Sequence, residues 1–143
     1  MRPSNRFSYA VKALVDLTVH QGSGPVTVAA IAKRQSIPVR SLEQLFNQLR
    51  RKGLVEAARG PRGGYRLKKP AKQIPIQLIF EIVEPKGLSL KKAGSAADPA
   101  RAVWQQVEKA VARSLEATTL EALAAQAREQ AAAPISHRYT FHI

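Results

Sequence analysis

The sequence contains no cysteine in 143 residues. Disulfide bonds, cysteine-ligated zinc, cysteine-ligated iron–sulfur clusters and thiol redox chemistry are therefore excluded. Long apolar runs are also missing, so no stretch is long enough to span a bilayer. The first ten residues, MRPSNRFSYA, lack the pattern of a secretory signal. We therefore expect no membrane partner, and a cytoplasmic location by default.

Acidic residues are scarce and unevenly distributed. The chain has 23 Lys and Arg against 10 Asp and Glu, a net charge of +13. Residues 1–75 hold 15 basic and 3 acidic residues, a net charge of +12, whereas residues 76–143 hold 8 and 7, a net charge of +1. A strongly basic first half indicates a polyanionic partner such as nucleic acid. Its charges fall within helix and turn patterns, which argues against a polybasic membrane-binding tail.

Groups of residues typical of catalysis are missing as well. The three histidines are His20, His137 and His142, and an extended backbone would place the last two on opposite faces. No carboxylate pair, Ser/His/Asp set or nucleotide fingerprint stands out. The sequence thus argues against an enzyme, a metal site and a cofactor.

The stretch Val39–Gly53, VRSLEQLFNQLRRKG, organises the rest of the chain. Its apolar residues recur at i, i+3, i+4 and i+7, which predicts one amphipathic helix that ends at a glycine. Taken alone, the pattern also fits an ordinary surface helix; we interpret it as the recognition helix, which enters the DNA major groove. The inner face would hold Leu42, Leu45, Phe46 and Leu49, and the outer face Arg40, Ser41, Glu43, Gln44, Asn47, Gln48, Arg50 and Arg51.

Two further helices are predicted before the recognition helix. The first covers Phe7–Val19, and the second covers Val28–Gln35 with Thr27 as its N-cap. The connection Ser36–Pro38 then leads into the recognition helix. Two short helices joined in this way, the second polar and basic, are typical of a helix-turn-helix.

A β-hairpin is predicted directly after the recognition helix. The extended runs LVEAAR and YRL flank a Gly/Pro turn, GPRGG. This position is typical of the wing of a winged helix-turn-helix. Glycine allows the backbone to approach a groove closely, and arginine gains from the negative potential of a narrow minor groove. The alternatives are a solvated hairpin tip or a mononucleotide loop, although the Gly-Lys-Ser/Thr of a P-loop is missing.

These motifs resemble the Rrf2 (IscR-like) family of bacterial winged-helix transcription regulators. The matching stretches are YAVKALVDL, GPVTVAAIAKRQSIPVRSLEQLFNQLRRKGLV, RGPRGGYRL and VWQQVEKAVARSLEATTLEAL. The resemblance as a whole covers most of the chain and leaves out roughly residues 85–98 and those after Gln130. The resemblance implies a mainly α fold: a winged helix-turn-helix DNA-binding domain with a small β-hairpin wing, plus a C-terminal dimerisation helix pair.

The resemblance also implies a DNA-binding surface with two parts. The start of the recognition helix would read bases, and the wing turn would enter the minor groove. Ser41 stands where the family often has tyrosine, and Arg62 stands where it often has glycine, so base preference is not carried over. The predicted DNA-binding residues are Arg40, Ser41, Glu43, Gln44, Arg50, Arg51, Arg59, Gly60, Pro61 and Arg62.

Two helices are predicted in the C-terminal third. Asp98 would cap the first, Ala100–Ala117, and Thr118–Glu121 is a capping-box sequence opening the second. Both helices could simply enlarge one core, but the resemblance implies homodimerisation through the first of them. A two-fold dimer would also double the DNA contact. The predicted dimerisation residues are Val103, Trp104, Val107, Val111 and Leu115.

The sequence contains little information about the signal that such a regulator would sense. In cluster-binding relatives, the loop matching Lys86–Ala97 carries three cysteines, but here it reads KGLSLKKAGSAA. Iron–sulfur function is therefore not transferable. The remaining signals are a small molecule, a partner protein or none. A groove between the helix after Ile76 and the dimer helix, closed by the tail, is the candidate effector site.

Together these observations predict a homodimeric, sequence-specific transcription regulator. It would bind a palindromic operator in double-stranded DNA and act as a repressor. The alternatives are a protein-interaction adaptor whose basic face binds an acidic protein, and a non-specific architectural DNA-binding protein. The predicted organisation is a winged helix-turn-helix DNA-binding domain (1–84), a loop (85–98), dimerisation helices (99–132) and an extended tail (133–143).

Overall fold

The computed structural model describes residues 5–87 and 97–132. Six helices and one two-stranded antiparallel hairpin make up this part of the chain. No helix in the described ranges combines the length and apolarity needed to cross a membrane. The elements are α1 (Asn5–His20), α2 (Val28–Gln35), α3 (Val39–Arg51), β1 (Val55–Ala58), β2 (Gly64–Leu67), α4 (Ile76–Val83), α5 (Pro99–Ala117) and α6 (Leu120–Ala132), with short 3₁₀ turns at Gln21–Ser23 and Ala71–Gln73.

The centre of the core is α1. Ala10, Ala13 and Leu14 are fully buried on its inner face, and their mixture of small and large side chains lets several helices approach one another closely. Helices α2, α3, α4 and α6 all pack against α1. The position of α1 therefore determines how the helix-turn-helix sits on the rest of the molecule.

Local capping signals fix the helix-turn-helix. The hydroxyl of Thr27 accepts a hydrogen bond from the Ala30 backbone N–H at 3.1 Å, which confirms the predicted cap of α2. Ser36 ends that helix in the left-handed conformation, with φ of 53°. Helix α3 is the predicted recognition helix. Its predicted inner face is confirmed, because Leu42, Leu45, Phe46 and Leu49 are no more than 2% exposed.

The predicted hairpin is also confirmed, and it is anchored to the chain before α2. Val55 pairs with Leu67 at one end of the hairpin, and backbone hydrogen bonds of 2.9 and 2.7 Å join Val26 to Tyr65. Gly64 lies so close to this junction that a Cβ atom there would be 2.5 Å from the Val26 carbonyl. Only glycine fits this approach. We call residues 54–67 the wing.

The two C-terminal helices differ in burial. Helix α6 belongs to the core, since Leu120 and Ala124 are fully buried, whereas α5 has no buried residue. Thr119 caps α6 by accepting a hydrogen bond from the Ala122 N–H at 3.1 Å. The predicted capping box is wrong in detail, because Glu121 pairs instead with Arg128 at 2.7 Å.

Candidate nucleic-acid interface

The outer face of α3 presents polar side chains that the fold leaves unused. Arg40, Glu43 and Gln44 are exposed, and Ser41 is half-buried at the same end of the helix. Within the described residues, no hydrogen bond or ion pair engages the side chains of Arg40 or Gln44. Both can therefore donate hydrogen bonds to an external ligand without first breaking an internal contact.

One side chain assigned to that outer face has another role. The Gln48 amide donates a hydrogen bond to the Ile82 carbonyl oxygen at 2.8 Å, and its own oxygen accepts one from Arg6. Gln48 thus connects α3 to α4 and α1. The sequence-based placement of Gln48 among the groove-facing residues is wrong, because a helix pattern cannot show which neighbouring elements cover its edge.

The end of α3 carries further positive charge. Arg50 and Arg51 are both exposed, and Arg50 donates a long hydrogen bond of 3.3 Å to the Asn47 side-chain oxygen. An exposed contact of this kind contributes little to stability. These guanidinium groups therefore remain available for charge-assisted hydrogen bonds to phosphate oxygens.

The wing tip has the same character as the outer face of α3. Arg59, Pro61 and Arg62 are exposed, and neither arginine has a hydrogen-bonding or ionic partner in the part of the chain that the structure describes. Gly60 has φ of 108°, which side-chain-bearing residues rarely adopt. A Cβ atom at Gly63 would lie 2.6 Å from the Ala58 carbonyl oxygen. The turn thus requires its glycines and leaves two cations at its tip.

The wing and α3 are held together through the core. The rings of Phe46 and Tyr65 pack with centroids 4.8 Å apart. The Leu54 N–H donates to the Leu49 carbonyl at 3.0 Å, and the Lys68 N–H donates to the Leu54 carbonyl at 3.0 Å. Arg66, the remaining wing arginine, is occupied by Glu56 of the paired strand at 2.6 Å. Core packing and backbone hydrogen bonds therefore join the wing and α3, which present the unpaired arginines of the two surfaces.

A buried carboxylate fixes the helix-turn-helix to α1. The Asp16 side chain is 1% exposed. It accepts hydrogen bonds from Arg34 at 2.7 and 2.9 Å and from Gln35 at 2.9 Å. His20 lies on the same side, with Nδ1 2.8 Å from the Asp16 backbone oxygen. We call these four residues the Asp16 network.

The charge state of Asp16 follows from its surroundings. Burial alone would raise the pKa of its carboxyl group, but hydrogen bonds from Arg34 and Gln35 and charge interactions with Arg34 and His20 outweigh the effect of burial. The pKa of Asp16 is therefore lowered, and its carboxylate stays ionised. Sequence reasoning missed this network. The available signal was that Asp16 is the only acidic residue in the first 42.

Comparison with known proteins identifies the family. The sequence profile of Rrf2, described as an iron-dependent transcriptional regulator, matches residues 3–126. The chain belongs to the Rrf2 family. Its mainly helical fold with a hairpin wing is the winged-helix fold of Rrf2 regulators. The relatives quoted below are named as regulators and not as enzymes.

Relatives of this Rrf2 protein match either its first part or nearly all of it. The HTH-type transcriptional regulator IscR of Cereibacter sphaeroides is 52% identical over 86 residues, which cover 59% of this chain and 56% of IscR. The chain thus spans about half the length of the curated IscR relatives it matches. A Neisseria meningitidis protein named as an HTH-type transcriptional regulator is 37% identical over 133 residues, covering 88% of this chain and 89% of that protein.

Solved structures agree with the family assignment. IscR of T. potens superposes with a TM-score of 0.80 at 34% identity, covering 97% of each chain. CymR, the global cysteine regulator of B. subtilis, gives a TM-score of 0.79 at 31% identity, covering 88% of this chain and 98% of CymR. The likeness therefore extends through the C-terminal helices as well as the winged helix.

Within residues 5–87 and 97–132, the iron that the family description implies finds no fitting site. Iron–sulfur clusters are held by thiolates, and the chain has none. Residues 86–97 also lack histidine and carboxylates. Among the described residues, no three histidine or acidic side chains form a group that could hold a metal ion. A sequence without cysteine therefore does not fit an iron–sulfur cluster.

Proposed function

We propose that this Rrf2 protein is a homodimeric, sequence-specific regulator that represses transcription by binding a palindromic operator in double-stranded DNA in the cytoplasm. The surface formed by the outer face of α3 and the tip of the wing carries this proposal. Unpaired Arg40 and Gln44 on α3, and unpaired Arg59 and Arg62 on the wing, belong to one unit joined through the core. Such a surface can follow two neighbouring grooves of a duplex.

Each part of this surface has a distinct role in the proposal. Arg40 and Gln44 would read base edges, since arginine pairs bidentately with guanine and glutamine with adenine, each giving about 1–3 kcal/mol of discrimination. Ser41 and Glu43 line the same end of α3 and would set the local preference. Other residues would contact phosphates or the minor groove: Arg50, Arg51, Arg59, Gly60, Pro61 and Arg62.

The exposed side of α5 supports the dimer. Val103 and Trp104 are 56% and 44% exposed in the single chain. Neighbouring exposed apolar side chains of this size are typical of a surface that contacts another protein. Val107, Val111 and Leu115 continue the apolar side and are half-buried. A second copy would cover this side and place two recognition helices about 34–36 Å apart, one turn of the duplex.

The division of the chain into functional units stays a prediction. In the proposed arrangement, residues 1–84 bind DNA and α5 carries the dimer contact. Helix α6 packs on α1 and would link the two functions. Residues 133–143 lie outside the described residues.

Selection of DNA ligands from a random pool tests the proposal. A dimeric, sequence-specific regulator of this kind enriches one palindromic sequence, and each dimer shifts one duplex on a gel at physiological salt. Equal affinity for every sequence, with a steep dependence on salt, would instead identify an architectural protein. A stable acidic protein partner without any DNA footprint would favour the adaptor.

A further inference from the structure

A pocket of about 430 Å³ lies between α1 and α6, and no residue of α3 or of the wing lines it. Its volume is within the range of about 300–1,000 Å³ typical of small-molecule sites. We call it the α1–α6 pocket. Its apolar wall is formed by residues four apart on each helix: Val11, Val15 and Val19 on α1, and Leu123, Ala127 and Ala131 on α6.

The polar groups around this wall are not balanced in charge. Lys12 and His20 lie on the α1 side, and Gln126 and Gln130 lie on the α6 side. The one acidic residue lining the pocket is Asp16, but its carboxylate is buried and already accepts hydrogen bonds from Arg34 and Gln35. The charge left for a ligand is therefore positive.

We propose that the α1–α6 pocket binds a small carboxylic acid with an apolar body, and that this ligand controls DNA binding. The second part rests on the proposed function, whereas the first does not. The apolar body would pack between the valines of α1 and Leu123 and Ala127 of α6. The carboxylate would pair with the Lys12 ammonium, which has no hydrogen-bonding or ionic partner among the described residues.

The connection to DNA binding runs through residues that the pocket shares with the Asp16 network. His20 and Gln35 line the pocket, and both also contact Asp16. Gln35 is the last residue of α2, and only Ser36–Pro38 separates it from α3. A ligand that engages Gln35 competes with its hydrogen bond to Asp16, which helps to hold the end of α2 on α1. It can change DNA affinity only if it binds two arrangements of α2 unequally.

This site differs from the groove expected from the sequence, which was placed beside α4 and α5. That groove depended on closure by the tail, and residues 133–143 lie outside the described residues. The α1–α6 pocket is formed without them. Because the chain continues from Ala132 beside the pocket, its own tail is the competing occupant that a test must distinguish.

Calorimetry on the full chain with 4-phenylbutyrate as the probe tests the first part. We expect saturable binding, and at least tenfold weaker binding of 4-phenylbutan-1-ol, which has the same body without the charge. Lys12→Gln should weaken 4-phenylbutyrate binding at least tenfold, and Ala127→Phe should abolish it by filling the pocket. The control Lys109→Gln removes the same charge from exposed α5, outside the pocket, and should bind like the wild type.

Three results of the calorimetry would overturn the pocket assignment. They are no saturable binding of 4-phenylbutyrate, equal binding of the acid and the alcohol, or equal loss in Lys12→Gln and Lys109→Gln. If Ala127→Phe fails to fold, Lys12→Gln still decides, because Lys12 is exposed. A spin label on Gln126→Cys, the sole cysteine of that variant, provides the test for the tail. Broadened NMR signals from residues 134–143 in the ligand-free chain would assign the pocket to the tail and overturn the proposal.

Gel shifts with the selected operator test the second part. Saturating 4-phenylbutyrate should change operator affinity at least fivefold in the wild type and leave Ala127→Phe or Lys12→Gln unchanged. If the acid binds but operator affinity stays constant, the pocket is an acid-binding site and its proposed role in regulation is refuted. If no operator exists, the proposed function fails, while the calorimetry still decides whether the pocket binds acids.

Discussion

Arg34 holds the carboxylate of Asp16 with two nitrogens, Nη2 2.7 Å from Oδ1 and Nε 2.9 Å from Oδ2. The two residues lie on α2 and α1, so this ion pair joins the helix-turn-helix to the centre of the core. Because Asp16 is buried, the loss of its charge would leave the Arg34 and Gln35 donors facing a neutral group with only one good acceptor oxygen.

Replacing Asp16 by Asn should therefore lower the free energy of unfolding. We expect a loss of about 2–3 kcal/mol, less than for a fully buried pair because Arg34 is partly in solvent. Urea unfolding monitored by circular dichroism measures the difference. Glu43→Gln is the control, since Glu43 is exposed, and should change stability by about 0.5 kcal/mol or less. Equal effects of the two substitutions would contradict the structural role of Asp16.

The same ion pair predicts a pH dependence of stability. The pKa of Asp16 is lowered from 3.8 on folding, so the folded state favours the ionised carboxylate. Its contribution is fully present above the unfolded pKa and is lost as pH falls through the lower, folded pKa. The stability difference between the wild type and Asp16→Asn should stay constant near neutral pH and shrink below 3.8. Urea unfolding across this range measures it, and a difference that grows in acid would contradict the assignment.

Gln48 should affect stability rather than sequence preference. Gln48→Ala removes the hydrogen bond to Ile82 and the contact with Arg6, and should cost about 1–2 kcal/mol. The base preference in a DNA selection should be unchanged, because the Gln48 amide faces α4. Asn47→Ala, a neighbouring exposed amide, is the matched control and should cost much less. If Gln48→Ala selected a different operator sequence, the result would show that Gln48 contacts DNA bases.

The apolar side of α5 should determine the oligomeric state. Trp104→Glu places a charge where a second copy would pack, and should convert the dimer to a monomer. Monomer stability should be little changed, since Trp104 is 44% exposed in the single chain. Sedimentation velocity measures the mass in solution. Glu108→Gln, an exposed change on the same helix, should leave the dimer intact, and a dimeric Trp104→Glu protein would refute the proposed interface.

Much of the fold could be predicted because its signals are local. Thr27 marks the start of α2, and the apolar spacing of α3 gives its buried face. The glycines of residues 60–64 indicate the wing turn. Each of these features depends on residues a few positions apart, where helix capping, helix periodicity and turn chemistry act.

The remainder depends on contacts between distant parts of the chain. Asp16 and Arg34 are 18 positions apart, and Gln48 and Ile82 are 34 apart. No periodicity links such pairs. Helices α5 and α6 are both rich in alanine, yet only α6 enters the core, because backbone hydrogen bonds between Ile74, Ile76 and residues 118–120 place it there. The α1–α6 pocket follows from that placement and was not predicted.

The two parts of the candidate nucleic-acid interface should respond differently to substitution. Arg59→Ala should weaken binding to all sequences to a similar extent and lower the salt slope by about 1, as for a phosphate or groove-charge contact. Gel shifts at several salt concentrations, against operator and random DNA, measure both quantities. Arg101→Ala, an exposed arginine on α5, is the control and should change neither. A loss of affinity for the operator, without a loss for random DNA, would instead show that Arg59 reads bases.

The most direct test of the account is a DNA selection carried out in parallel on the wild type and on an Arg40→Ala, Gln44→Ala double variant. We predict that the wild type enriches one palindromic sequence. The double variant should lose preference at the positions contacted by α3, at a cost of about 1–3 kcal/mol per lost contact. Enrichment of the same sequence by both proteins, or of no sequence by the wild type, would contradict the claim that α3 and the wing together read DNA.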